Sequence, residues 1–372
     1  MGYVAVKGGS QAIEEASKRM KYERLKAGIV ADVSSIAGGL RGLVDVVMSE
    51  SSLYSRELAA VAIKQAEGSV EEAVFLMRAY RSTLPRKYYS QVIDTDNMFV
   101  QRRISSCFKD VPGGQILGAA TDYSHRLIDF SLLEETTEEA SAWLKDFQQV
   151  CAAASDKEVN LSALPKVTNY LRKEGLIAAP KEDNTEPIDI TKKNIEFPTK
   201  RCERLQIMTR GQTGGVISLG YAALRGYGDL HPTVGELRVG FVDILVADPF
   251  DGSELYIGKI QLTEVETYVA STVKDDDGNS RLQFEIGYGV CYGQNESKAI
   301  AMSLLDRCLE VSEKQYPTQD EEFVLYHIDS VESTGFISHL KLPHYVTFKS
   351  KLDSIRKTQK KKAGQQNHEN GI

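Results

Sequence analysis

Glu236-Leu-Arg-Val-Gly-Phe-Val-Asp-Ile-Leu-Val246, with the runs Glu254–Val269 and Arg281–Tyr292 that follow it, decides the fold. The first run partly alternates between apolar and polar residues. The second sets Ile257, Ile260, Leu262, Val265 and Tyr268 among polar neighbours. Alternation of this kind marks strands. Asp248-Pro-Phe-Asp-Gly and Asp275-Asp-Asp-Gly-Asn supply turns between them. Three β runs joined by turns make an antiparallel meander. Asn295 then caps an amphipathic helix, Glu296 to Leu309, that can cover one face of the sheet.

Upstream the pattern is helical. Ser34 to Arg81 carries apolar stripes at helical spacing, with Ser55 and Ser69 as caps and Gly68 as a stop. Lys7-Gly8-Gly9 reads as a turn with a surface lysine before a solvated helix over 11–27; an anion held on the free amides is the alternative. Four prolines and two polar runs punctuate 134–200, around a helical module Leu161–Glu174 stopped by Gly175. From Pro198 onward, including Leu205–Met208, the chain reads as strand-rich. The fold class is therefore α+β, an N-terminal mainly helical domain followed by an antiparallel sheet region covered by helices. Residues 1–133 form the helical domain and 134–200 a variable connecting region with short helices. Residues 201–350 form the β-meander plus helices, and 351–372 a basic frayed tail with Lys360-Lys-Lys362.

The composition excludes several classes. A net charge of −7 over 372 residues argues against a bulk nucleic-acid binder. No apolar run approaches the roughly 18–20 residues that span a bilayer. Five dispersed cysteines without a CxxC point to a reducing cytoplasm and to no iron–sulfur cluster on this chain.

Two constellations carry chemistry. Asp122, His125, Arg126 and Asp129 would share one face if helical, either as a charge network that fixes the domain or as a catalytic edge; spacing alone favours the network. Near the C-terminus, His339 and His344 flank Pro343. Proline bends the chain, so two imidazoles five apart can converge as half of a tetrahedral zinc site. On spacing alone they read as two unrelated histidines, because a full shell needs more ligands.

The motifs together are long and specific. Tyr3-Val-Ala-Val-Lys-Gly-Gly, Phe75-Leu-Met-Arg-Ala-Tyr-Arg, Lys109-Asp-Val-Pro-Gly-Gly-Gln, Asp122-Tyr-Ser-His-Arg-Leu-Ile-Asp-Phe, Arg225-Gly-Tyr-Gly with His231-Pro, and Gly335 through Tyr345 resemble the PhnI family of the bacterial carbon–phosphorus lyase system. Only about 134–200 looks unlike it. The resemblance implies a cytoplasmic subunit that assembles with PhnG, PhnH, PhnJ and the ATPase-like PhnK and PhnL. It implies displacement of adenine from ATP by an alkylphosphonate, giving α-D-ribose 1-methylphosphonate 5-triphosphate, and purine nucleosidase activity alone. It also implies a zinc shared with PhnJ, with His339 and His344 as this chain's ligands, and Mg accompanying ATP. The rival is a non-catalytic scaffold that completes PhnJ's pocket.

Such chemistry passes through an oxocarbenium-like state, which needs a nearby carboxylate, a proton donor for the leaving base, and cations for the phosphates. Candidate carboxylates are Asp122, Asp129, Glu236 and Asp243, and candidate proton donors are His125 and His231. Candidate cations are Lys7, Arg102, Arg103, Arg126, Arg225, Arg238 and Lys341. The loop Arg225 to His231, with Tyr227, is the first choice for substrate contact, because glycine lets backbone approach a ligand closely.

Overall fold

The structure, a computed structural model, describes residues 9–153, 161, 164–179, 185–228, 231–274, 280–342 and 344–369. Contacts divide it into two units, Val33–Asp329 and a smaller one joining Met1–Asp32 with Ser330–Ile372. The fold is α+β, as the sequence indicates.

The larger unit is built on a four-stranded antiparallel sheet of order β1-β2-β3-β4. Its strands are β1 (Phe99–Ile104), β2 (Thr233–Ala247), β3 (Glu254–Lys274) and β4 (Ser280–Tyr292). The meander expected from sequence is β2–β4. β1 adds an edge from the N-terminal half, pairing Arg103 with Arg238 and Ile104 with Leu237. The turn expected at 275–279 lies outside the described residues.

The helices run in chain order through α1 (Gly9–Leu25), α2 (Val33–Gly39), α3 (Arg41–Ser51), α4 (Arg56–Gln65), α5 (Val70–Ser82), α6 (Thr137–Ala153) and α7 (Val167–Lys173). Then come α8 (Arg201–Arg210), α9 (Thr213–Ala222), α10 (Glu296–Leu309), α11 (Glu321–His327), α12 (Ser330–Ser338) and α13 (Tyr345–Glu369). The caps fall where the sequence puts them. Ser55 accepts from Leu58 N at 3.3 Å, Ser69 from Glu72 N at 3.4 Å, and Asn295 from Lys298 N at 3.4 Å.

Three expectations are corrected. Residues 201–222 are the helices α8 and α9, not strands. α8 buries Ile207 and Met208 together with Glu203 and Arg204, so no clean apolar stripe is legible. Gly220 of α9 sits against Ala301 of α10; a Cβ there would lie 2.8 Å from that of Ala301. Asp122 to Asp129 is not helical but an exposed loop, with Arg126 at φ +55°. The tail expected to fray is helical through Glu369, its lysines and glutamines being good helix formers.

The two faces of the sheet differ. On one, Leu237, Val239, Val265 and Cys291 pack beneath Ala299 of α10. On the other, Glu236, Arg238, Glu264 and Glu266 are cross-strand neighbours. α7 and the residues leading into it cover that face. α10 approaches β4 closely because Gly287 and Gly289 present no side chain; a Cβ at either would strike the carbonyl of Ser303 or Ala299. A second apolar core joins α8 to α11 through Met208, Met302, Leu305 and Val324. Gly289→Ala should therefore cost about 1–3 kcal/mol, lowering the urea midpoint. Gly214→Ala, with nothing within 4 Å of the added methyl, should be neutral or stabilise by up to about 1 kcal/mol in the same titration.

Candidate functional site

The imidazoles lie in the smaller unit, where α12 ends in a short 3-10 turn over His339–Lys341. Pro343 lies outside the described residues. The ring centroids of His339 and His344 are 5.5 Å apart and inclined at 60°. His344 is exposed and His339 partly so. Nδ1 of His339 meets the carbonyl of Phe336, and Nδ1 of His344 that of Leu342 at 2.6 Å. A carbonyl accepts only, so Nδ1 is the donor in each contact, and in a neutral ring with this tautomer Nε2 is the nitrogen left to act as a ligand. That is the tautomer and the backing that a metal-bound histidine needs. The donor chemistry thus fits two zinc ligands. Among the described residues no cluster of three or more His, Cys, Asp or Glu completes a shell. Lys341, between the two, is exposed.

In the larger unit the candidate residues separate by accessibility. Arg102 on β1 is buried, yet it reaches an exposed carboxylate: its guanidinium pairs with Asp122 and, at 2.8 Å, with Glu296 at the start of α10. Arg126 stands 3.7 Å from Asp122. Gly118 lets this loop lie on β1, where a side chain would strike Gln101 and Arg102. Asp122 is thus an oriented, solvent-accessible acid, with His125 exposed three residues on. Asp129 is spent locally: it caps the turn Phe130–Leu133, and hydrogen bonds from Ser131 hold its carboxyl below the usual range.

Arg103, Glu236 and Arg238 are drawn into the buried charged face. Arg103, with no exposed surface, pairs through Nε with Glu236 and donates to the carbonyls of Pro112 at 2.6 Å and Pro165 at 2.8 Å. Glu236 also accepts from Val167 N at 3.0 Å. Arg238 donates to Thr95 O at 3.0 Å. These contacts tie the three into the framework of the sheet, with Arg103 also lining a cavity of about 150 Å³ beside α7.

Sequence patterns did not flag four further members: Lys166, Glu264, Glu266 and Tyr288. Glu264 Oε1 accepts from Thr95 at 2.7 Å, Tyr288 at 2.9 Å and Lys166 at 3.1 Å. Glu266 accepts from Thr168 and lies 3.8 Å from Lys166. Burial pushes the Glu266 carboxyl up, Lys166 pulls it down, and Glu264 pushes it up again. Burial would lower Lys166, but the two carboxylates more than offset this and raise it. The only sequence signal was the placement of acids at alternate positions of a strand.

The remaining candidates do not join this site. Arg225 and Tyr227 are exposed on a turn after α9. Arg225 lies over the Tyr221 ring at 6.0 Å, and Tyr227 accepts from Thr318 through its carbonyl. His231 is exposed, Asp243 lies on β2 paired with Lys259, and Lys7 falls outside the described residues.

The chain is an α+β protein whose imidazole pair and oriented acid lie in separate units. Its profile match is specific: residues 2–362 fit the family described as bacterial phosphonate metabolism protein. The chain belongs to the PhnI family. It is 43% identical over 99% of both chains to the putative C-P lyase subunit protein HtxH of Stutzerimonas stutzeri. It is 41% identical to the α-D-ribose 1-methylphosphonate 5-triphosphate synthase subunit PhnI of Rhizobium meliloti, over 95% of this chain and 94% of that one. Against the Escherichia coli protein of the same name it is 40% identical, over 98% and 99%. Among the described residues no helix is long and apolar enough to cross a membrane.

The raised Glu266 carboxyl sets a pH dependence. The fold favours its protonated form. That contribution is fully present below the carboxyl's unfolded value and is lost as pH rises through its folded one. Glu266→Gln should therefore flatten the fall in stability on going from acid toward neutral pH, read as the urea midpoint against pH. An unchanged profile would exclude Glu266 as its source.

Proposed function

We propose that this chain is the subunit of a cytoplasmic carbon–phosphorus lyase complex that exchanges adenine on ATP for an alkylphosphonate. The product is α-D-ribose 1-methylphosphonate 5-triphosphate, and Mg accompanies the nucleotide. The observation that carries this reading is similarity over nearly the whole chain to relatives named as subunits of that synthase. Asp122 is the carboxylate that stabilises the positive charge at the anomeric carbon, since Arg102 orients it while solvent reaches it. His125, exposed on the same loop, protonates the leaving purine. The phosphonate is already an anion and needs no strong base. With water in its place, the same site releases adenine hydrolytically.

PhnG, PhnH, PhnJ, PhnK and PhnL are the partners in this reading. Exposed apolar surface supports protein partners. In the smaller unit no described apolar side chain is buried, while Ile29, Phe336, Ile337, Leu340, Tyr345, Val346 and Phe348 are all exposed. α6 likewise exposes Trp143, Leu144, Phe147 and Val150. His339 and His344 supply two ligands to a zinc that PhnJ completes. The same features favour a second reading, in which the chain is a scaffold for a partner's pocket and catalyses nothing alone.

The two readings part on one measurement. The purified, folded chain incubated with ATP should release adenine, and Asp122→Asn should slow release by at least about a hundredfold. No release from the folded parent supports the scaffold; unchanged release in the variant removes Asp122 from the chemistry. For the metal, His339→Ala should lower zinc in the assembled complex by elemental analysis, and unchanged zinc would overturn that ligand assignment.

A further inference from the structure

A second group of cations lies away from Asp122, where α5 and the end of α8 meet the segment 189–194. Two adjoining cavities there, of about 290 and 380 Å³, share Arg81, Ile190, Thr191 and Arg210 as walls. Arg78 and Arg86 also reach this region, but each already has an acid. Arg78 donates through Nη1 to both carboxylate oxygens of Asp329, at 2.9 and 3.0 Å, and Arg86 pairs with Asp189 at 2.7 Å. Asp189 is committed further, accepting from Thr191 N at 3.0 Å and Thr191 Oγ1 at 2.6 Å.

Arg81 and Arg210 are different. Arg81 makes one side-chain bond, to the Thr191 hydroxyl at 3.3 Å, and Arg210 makes none among the described residues. Neither is ion-paired to a carboxylate there. Two half-buried guanidiniums beside each other repel, and the nearby Asp189 and Asp329, already bonded to Arg86 and Arg78, offset this only in part. Burial pushes Arg210 down to about 10, and Arg78 and Arg81 push in the same direction.

The backbone that presents Arg210 is rigidly held. Arg78 donates to its carbonyl at 2.9 Å. The fully buried Lys298 donates to the flanking carbonyls of Thr209 at 2.7 Å and Gly211 at 2.6 Å. Three successive carbonyls at the end of α8 are thus pinned by cations from two other helices. The unpaired guanidinium is preorganised, as an oxyanion site requires. One cavity adds an apolar wall from Ile190, Val290 and Tyr292, and the other adds Lys192 and Lys193 at its rim.

We propose that Arg81 and Arg210 form a binding site for a polyphosphate, the 5-triphosphate end of the nucleotide substrate and of the product. The identity of the polyphosphate rests on the function proposed above; the demand for an anion rests on the guanidiniums alone. Planar guanidinium forks suit phosphate oxygens bidentately, and a chain of three phosphates matches a pair of connected cavities better than a single phosphonate does.

The test is calorimetric titration of the full chain with inorganic triphosphate, ATP and methylphosphonate. Triphosphate and ATP should bind and compete with each other. Arg210→Met should weaken both by roughly tenfold to a hundredfold, the loss of a charge-assisted bond pair. Arg210→Lys should weaken them less, and Arg81→Met serves if Arg210→Met does not fold. Thermal melting separates binding from structure. Without anion, Arg210→Met should melt no lower than the parent, and triphosphate should raise the melting temperature of the parent only. Equal triphosphate affinity in parent and variants, or no binding to the parent, overturns the site. So does methylphosphonate binding that depends on Arg210 while triphosphate does not bind. Arg210-dependent triphosphate binding by a chain that releases no adenine would uphold the site and remove the nucleosidase reading. Adenine release with an unchanged KM for ATP in Arg210→Met would do the reverse.

Discussion

The sheet depends on neutralising a guanidinium that has no exposed surface. Arg103 gathers Glu236 from β2, Pro112 from the glycine-rich turn, and Pro165 from the approach to α7. Its guanidinium, with no exposed surface, would itself be an uncompensated buried charge without them. A buried ion pair adds little over a well-packed apolar pair, but removing one partner costs about 3–5 kcal/mol. Arg103 therefore acts less as a source of stability than as a condition on geometry. The turn at 112–114, β1 and the start of α7 must all be in place for its charge to be satisfied. Gly113 adds to this, since its φ of +86° and its closeness to Arg103 leave no room for a side chain.

This double-sided burial explains what the sequence shows and what it hides. β2 reads as only partly alternating because both faces are enclosed, one apolar under α10 and one charged under α7. The meander and the Asn295 cap are legible, since turn residues and caps act locally. β1 is not, because Phe99 to Ile104 becomes a strand through pairing with residues some 140 positions away and reads locally as a basic run. α8 and α9 escape for a related reason. Their glycines and buried charges serve contacts with α10 and α11, and a pattern set by distant neighbours has no period of its own.

The candidate residues sort by the same physics. A linear reading names Glu236, Arg238 and Arg103 because the chemistry needs a carboxylate and cations. In the structure all three are buried and bonded into the framework of the sheet. Asp122 survives as a candidate because it leaves the sheet edge while its buried partner, Arg102, remains in it. Arg81 and Arg210 escaped for the opposite reason: Arg81 closes the Phe75–Arg81 motif and Arg210 lies in none, and only packing shows that neither is ion-paired to a carboxylate among the described residues.

The smaller unit poses the sharpest physical problem. An amphipathic helix is held mainly by burying its apolar stripe, and helices in isolation are marginal in water. α1 buries no residue, and the apolar side chains around His339 and His344 stand in solvent. Among the described residues, this unit presents two backed imidazoles without burying an apolar side chain of its own. A partner surface that covers Phe336, Leu340 and Tyr345 would bury that stripe and bring further donor atoms toward the same pair of rings. If such a surface also completed a metal shell, ordering of this edge and metal binding would be one linked equilibrium.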